Sequence, residues 1–588
     1  MTRRRHGSAA IILGGVLGGV VALTSAGCSG GSMTSTPSST TRASAGTAGG
    51  ILYYLSRRPA KTFDPQRAYI ARDIANESRM VYRTLTSYPV ATGKDGTRLV
   101  ADLATDTGTA SAGGKTWRFT LKDGVKWQDG SAITCADIRY GVSRTFATDV
   151  ITGGPSYAVQ FLAIPIDPRG GSAYKGPYVK DAAKQALFDK AVICAGRTIT
   201  FKLTKPVGDF NYTVTMPAFA PYKASVDQGD KSSFAVFSSG PYKLEGTWTE
   251  GAGGTFVRNP SWSASTDTIR KALPDKIVFN EGLTDEVIAE RLISDQGNDR
   301  FAVSDSNVPP GMLATVRANP SMASRTENVD APFMDYLVPN WKKVTNPKVR
   351  EALVFATDKN GWVAANRGTS YGKPSQTLIS PSVLGYRAFN AFNAPDSGDP
   401  AKSRALLTQA GVKEPYPISL TYLGGSTNSE KAADALKAGL DAGGFSTTLN
   451  ELTDSYYDVI HNPANAQKYD LTWASWGADW PSASTVIPPL FDSRVNLSVA
   501  SNGFDYGYYR NDAVNRGIDA AYATTDLARQ AQMWGDLDET IARDVGYIPL
   551  RSQKLYLAWG SRVTGWVDNP ALNDYPDLGS LGVDLAVR

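Results

Sequence analysis

The stretch Trp117 to Asp137, WRFTLKDGVKWQDGSAITCAD, constrains the fold more than any other part of the chain. Trp117, Phe119 and Leu121 alternate with Arg118, Thr120 and Lys122, the period-2 pattern of a half-buried strand. Asp123-Gly124 is a turn signal, because glycine accepts positive φ at no steric cost, and Asp129-Gly130 is a second one. Thr134 can cap a helix whose first turn carries Asp137, where a carboxylate meets the positive end of the helix dipole. A compact strand–turn–strand–helix unit follows from these residues alone.

Strand and helix patterns alternate elsewhere too. Ile51, Tyr53 and Leu55 read as a strand, and Ser78 to Leu85 as a helix. Ile277 to Phe279 is a short strand, followed by an amphipathic helix over Asp285 to Ser294. From Ala401 the order is helix to Gly411, strand Ile418 to Tyr422, helix Ser429 to Ala442, and strand Phe445 to Leu449. A right-handed crossover makes those two strands parallel. Such alternation argues for α/β layers rather than an all-β sandwich.

Several chemistries are excluded. His6 and His461 are the only histidines, so a histidine-rich metal site is impossible. A Ser-His-Asp triad could use only His461, which sits in the polar run HNPANAQ and reads as a surface residue. Gly108 to Thr116, GTASAGGKT, mimics a phosphate loop, but it has one residue too many before Gly-Lys and leads into a strand instead of a helix. Of 61 Lys and Arg, three lie at positions 3–5; without them the surplus over 56 carboxylates is two, too neutral for a nucleic-acid binder.

Those three arginines precede the Gly-rich apolar run Ala9 to Ala22 and then Ser25-Ala26-Gly27-Cys28, an export signal over 1–27. The small residues before Cys28 resemble a bacterial lipobox and imply a lipidated Cys28, although Leu23 stands five positions before it, where three is usual. Cleavage without lipid is the other reading, and Sec and twin-arginine export both stay open. Residues 28–49 are Ser, Thr and Gly with hardly an apolar anchor, a flexible tether. Cys135 and Cys194 are the only cysteines left; an even pair in an exported chain suggests a disulfide, with two buried thiols as the alternative.

The order of residues in 117–137 resembles the signature of the family 5 solute-binding proteins of bacterial ABC importers, the oligopeptide and dipeptide binders, with Cys135 where alanine is usual. Gly240-Pro-Tyr-Lys-Leu followed by Phe256-Val-Arg-Asn-Pro-Ser-Trp262 is similar to a second family landmark. Asn340 with Asn346 to Asp358 is similar to a third, and Gly546 to Leu550 to a late return strand. The resemblance implies an α/β, two-lobed periplasmic-binding-protein-like fold of type II, with a hinge between the lobes. Lobe I would be 50–335 plus 551–588, carrying an inserted subdomain at about 86–230, and lobe II 336–550. It implies a non-enzymatic monomer without cofactor or metal that binds oligopeptides between the lobes. It would deliver them to an ABC permease from a lipid anchor on the outer face of the cytoplasmic membrane.

Peptide-binding relatives carry Y-D-x-x-x-x-x-W-x-x-D, and Tyr469 to Asp479 is similar to it. By that resemblance Asp479 pairs with the ligand's α-ammonium group, with Trp476, Gly477, Trp480 and Asn340 as further ligand-binding residues. A turn-capping aspartate and core tryptophans are the plainer alternatives. After Asp479 the family's further polar or Asp-Pro step is replaced by Trp480-Pro481. Binding of another solute, such as an oligosaccharide, and a peptide-sensing receptor therefore stay open as functions. The signature stretch itself would build the inserted subdomain, with Cys135 bridged to Cys194.

Overall fold

A computed structural model describes residues 46–167, 171–453, 455–498 and 502–586. The export signal, Cys28 and most of the tether lie outside the described residues.

One sheet has five strands in the order Ala302–Ser304, Ile51–Leu55, Lys276–Asn280, Gly253–Arg258 and Tyr242–Thr249. Ile51–Leu55 runs parallel to both neighbours. Ile51, Tyr53 and Leu55 lie in the expected strand, whose burial is two-sided. Leu52 and Tyr54 pack into one cluster and Leu55 into another, while Ile51 is exposed. A parallel strand flanked on both sides is covered on both faces, so it has no polar face to alternate with. Helix Asp285–Ser294, capped by Thr284 Oγ1 accepting from the Val287 amide, brings Ile288 and Leu292 against Leu55 and Ala302. The helix expected at 78–85 is instead Ala71–Met80. It stops where the Glu77 carbonyl accepts from both the Val81 and Tyr82 amides. Arg72, Asp73, Glu77 and Arg79 are all buried in it, so polar residues occupy inward positions and hide its periodicity.

The second sheet has the order Gly372–Pro374, Ile548–Ala558, Thr326–Pro339, Leu471–Gly477, Tyr416–Leu423 and Phe445–Leu452. The last two strands are parallel, joined through helix Thr427–Ala442, as the crossover rule requires. Two strands tie the sheets together. Thr326–Pro339 and Ile548–Ala558 pair antiparallel, and at their far end Trp559 donates to the Arg325 carbonyl and Gly560 to that of Ala302. Their register shifts between Asp330 and Met334. Just past the shift Asp335 and Arg551 form a buried ion pair at 2.7 Å.

The signature stretch folds as its residues dictate. Thr116–Thr120 lies in a four-stranded antiparallel sheet with Thr109–Ser111, Thr198–Lys202 and Val192–Ala195. Gly124 and Gly130 take φ of 75° and 84° in the two turns. Thr134 and Asp137 form a reciprocal capping box at the start of helix Cys135–Arg144. A disulfide joins Cys135 to Cys194, tying this helix start to the edge strand. The region is joined to the first sheet by Arg270, which donates to Asp102 at 2.8 Å and to Asp267 at 2.9 Å, with Arg83 on Asp102 at 2.7 Å. Burial opposes ionisation there, but the Arg270 and Arg83 guanidinium groups hold both carboxyls below the usual range.

The core around Trp117, Phe119 and Trp127 continues without a break into Trp480, Ile487, Phe491 and Tyr522. The Gly208 amide donates to the Tyr522 carbonyl at 2.7 Å, and Phe161 meets the Tyr522 ring edge-on. Residues early and late in the chain thus close over one interior, and the candidate site lies on that seam.

Candidate functional site

Strand Leu471–Gly477 delivers Asp479 to this seam. Phe333 pairs with Gly477, and a Cβ on Gly477 would stand 2.3 Å from the Phe333 ring, so only glycine lets the two strands close here. Past Gly477 the chain turns. The Asp479 amide donates to Thr485 Oγ1 at 3.2 Å, which holds the residue at the mouth of a short loop. Asp479 Oδ2 accepts from the Tyr69 hydroxyl at 2.8 Å and from the Tyr157 hydroxyl. Among the described residues no cation pairs with it. Burial pushes its carboxyl up to about 6, with the Tyr157 and Tyr69 hydroxyls pulling the other way.

Asp479 stays half-buried and opens onto a narrow cleft lined by Ile74, Ser78, Tyr88, Thr215, Leu572 and Asn573. A half-buried carboxylate given only neutral donors and facing a cleft can bind an organic cation through charge-assisted hydrogen bonds. Among the described residues no group of His, Cys, Asp and Glu could hold a metal ion.

The expected site residues separate into two sets. Trp480 lies beside Asp479, its ring 4.7 Å from that of Tyr157 and tilted 57° to it, with its indole N–H on Ser484 Oγ. It is buried and acts as the wall behind the carboxylate. Trp476 donates to the Thr485 carbonyl at 2.8 Å and packs on Phe504. Gly477 is the close approach just described. Asn340 is elsewhere: its side-chain amide donates to the carbonyls of Ala466 and Tyr469, so it shapes the start of the strand. Trp473, on the other face of the sheet from Trp476, lines a separate cavity of about 200 Å³ with Arg367, Arg551, Gln553 and Lys554. His461, expected at the surface, is half-buried: Tyr506 bonds its Nε2 at 3.1 Å and Phe504 packs on its ring. The polar run around it gave no sign of these aromatic partners.

Tyr69, Tyr157 and Asp209 were not singled out from the sequence. Asp209 is wholly buried and accepts from the hydroxyls of Ser482 and Ser484, which fixes the loop after Asp479 to the other side of the seam. Tyr69 follows Asp64-Pro65 closely, but nothing in its spacing links it to a carboxylate 410 residues on.

Two sheets joined by a pair of crossing strands, with a half-buried carboxylate on the seam between them, define a two-lobed α/β binding protein. The model of the bacterial extracellular solute-binding proteins, family 5 Middle, matches residues 98–497, and the chain belongs to that family. The glutathione-binding protein GsiB of Salmonella typhi is 24% identical over 472 residues, covering 78% of this chain and 82% of that one. The probable D,D-dipeptide-binding periplasmic protein DdpA of Escherichia coli K12 is 23% identical over 534 residues, covering 89% and 93%. Among solved structures, the clavulanic acid biosynthesis oligopeptide binding protein 2 superposes with a TM-score of 0.84 at 28% identity, over 91% of this chain and 96% of that one. Haemophilus influenzae OppA in complex with RPPGFSPFR has a TM-score of 0.64 at 19% identity, covering 91% and 98%. The two-lobed fold is common to these structures.

Proposed function

We propose that the protein captures peptides by their free amino terminus between its lobes and hands them to an ABC permease, without chemical turnover. The observation that carries this reading is Asp479: a half-buried carboxylate on a cleft, with two tyrosine hydroxyls and, among the described residues, no cation. An α-ammonium group completes that arrangement, and leaving the charge unmatched is costly. Fixing one end of the ligand through groups every peptide has, and pairing its backbone as an added strand, selects for peptides without reading their sequence. The cavity beside Trp473 supports the same reading, because Arg367 in its lining suits the carboxylate end. GsiB, DdpA and OppA carry peptide or glutathione ligands in their names, consistent with this class.

The exported protein would act as a monomer, held at the outer face of the cytoplasmic membrane by a lipid on Cys28. Among the described residues no helix is long and apolar enough to cross a membrane. Isothermal titration with penta-alanine and its N-acetylated form tests the reading. The free amine should bind and the acetylated peptide should bind at least tenfold more weakly. Equal binding of the two, or no binding of either, would overturn it. For the anchor, Cys28→Ala should release the protein from the membrane fraction; retention would refute lipidation at Cys28.

A further inference from the structure

The cleft at Asp479 has fixed walls and very little room. Helix Ala71–Met80 turns one stripe of side chains to it, Ala71, Ile74, Ala75 and Ser78, which fall at i, i+3, i+4 and i+7. The charged residues of the helix, Arg72, Asp73, Glu77 and Arg79, are off that stripe. Tyr88, Met216 and Leu572 close the cleft from other parts of the chain, and all three are buried. Among the described residues Asp479 is the one charged group in the lining.

The hydroxyls in these walls are already spent on the protein. Ser78 Oγ donates to the Ala75 carbonyl at 3.1 Å. Thr215 Oγ1 donates to the Tyr212 carbonyl at 2.7 Å, so the Tyr88 hydroxyl, 3.2 Å away, donates to Thr215. Buried Arg79 donates to the Tyr88 carbonyl at 2.9 Å. On the opposite side, Asn569 accepts from the Ala571 amide and donates to the Pro89 carbonyl at 2.8 Å, which ties the turn carrying Leu572 to the residue after Tyr88. Asp479 is pinned too, by Tyr69 and Tyr157 on Oδ2 and by Thr485 at its amide. In walls held like these, each extra methylene pushes side chains off their rotamers.

The room that remains is about 20 Å³. That is space for about one water, or for one ammonium group of similar size. An α-ammonium nitrogen on Asp479 lies about 1.5 Å from its own Cα. The first side chain branches from that Cα, so it starts at the lip of the same cleft whichever way the rest of the peptide runs.

We infer that the cleft accepts only a hydrogen or a methyl group as the first side chain, so that the protein prefers peptides beginning with glycine or alanine, with Ile74, Met216 and Leu572 setting the limit. This inference rests on the peptide-binding reading above. It is tested by isothermal titration of the full-length protein with free-amine peptides that carry Gly, Ala, Leu or Phe ahead of four alanines. The glycine and alanine peptides should bind about tenfold or more tightly than the leucine and phenylalanine ones. Ile74→Ala puts a strong helix former at a half-buried helical position, and Met216→Ala shortens a wall of the cleft. At least one of them should bring the leucine peptide severalfold closer to the alanine peptide in affinity. Leucine or phenylalanine peptides that bind the wild type as tightly as the alanine one, or a preference that neither variant relaxes, would overturn the selection while leaving the peptide reading intact. If none of the four binds, the peptide reading fails and the selection with it.

Discussion

The Tyr69 hydroxyl lies 2.8 Å from Asp479 Oδ2, across 410 residues of chain, and it is one of two phenols that hold this carboxylate on the seam between the lobes. Burial pushes the Asp479 carboxyl up to about 6. An α-ammonium group needs the carboxylate form, so peptide affinity should be full above pH 7 and fall about tenfold per unit once pH drops well below 6. Tyr157→Phe removes a donor that favours the charged form, and should move the midpoint upward. Isothermal titration between pH 5 and 8 reads both. A flat profile would separate ligand capture from Asp479.

Glu77 is fully buried, and neither of its carboxyl oxygens has a hydrogen-bond partner. Burial first, then Asp73 and Asp64, raise its carboxyl well above the usual range. The folded state therefore binds this proton more tightly than the unfolded chain does. The group's contribution is fully present below the unfolded carboxylate range, about pH 4, and is lost as pH rises. Glu77→Gln removes that titration, so its stability relative to wild type should improve from pH 4 to pH 7. Urea unfolding at the two pH values gives the difference; no change in it would contradict the assignment.

Arg270 donates to Asp102 and Asp267 at the join between the signature region and the first sheet, with all three side chains buried. Arg270→Leu leaves two buried carboxylates to share Arg83, at a cost of about 3–5 kcal/mol. The wild-type network holds both carboxyls low, so its contribution is present above about pH 4 and disappears as pH falls through the folded values. The variant should thus lose stability at pH 7 and lose less of it in acid. Chemical denaturation followed by tryptophan fluorescence would show a smaller deficit at pH 3 than at pH 7.

The Cys135–Cys194 bond spans 59 residues. Closing a loop of that length limits the unfolded chain and is worth about 2–4 kcal/mol. The double variant Cys135→Ala, Cys194→Ala should lose that amount in urea unfolding. Because the bond lies away from Asp479, its peptide affinity at 25 °C should match the wild type. A large change in affinity with unchanged stability would reverse this account.

The elements of the fold were legible where local chemistry decides them. The hairpin glycines, the Thr134–Asp137 capping box and helix Asp285–Ser294 depend on neighbours within a few residues, and the parallel pair around helix Thr427–Ala442 on one right-handed crossover. Misreadings arose where distant packing overrides pattern. Helix Ala71–Met80 buries four charged side chains, so its apolar stripe is missing. His461 took its character from Tyr506 and Phe504, which no local spacing connects to it.

For the site the division is sharper. A family pattern in one line of residues was enough to single out Asp479 and its tryptophans. It could not say that Trp480 backs the carboxylate, that Trp473 lies on the far face, or that Asn340 is spent on the backbone. Nor could it bring Tyr69 and Tyr157 to Asp479, because each arrives on a different part of the chain. Their proximity is a product of two sheets closing over one core. The energy of a buried charge depends on everything that surrounds it, and a linear order of residues holds only the neighbours along the chain.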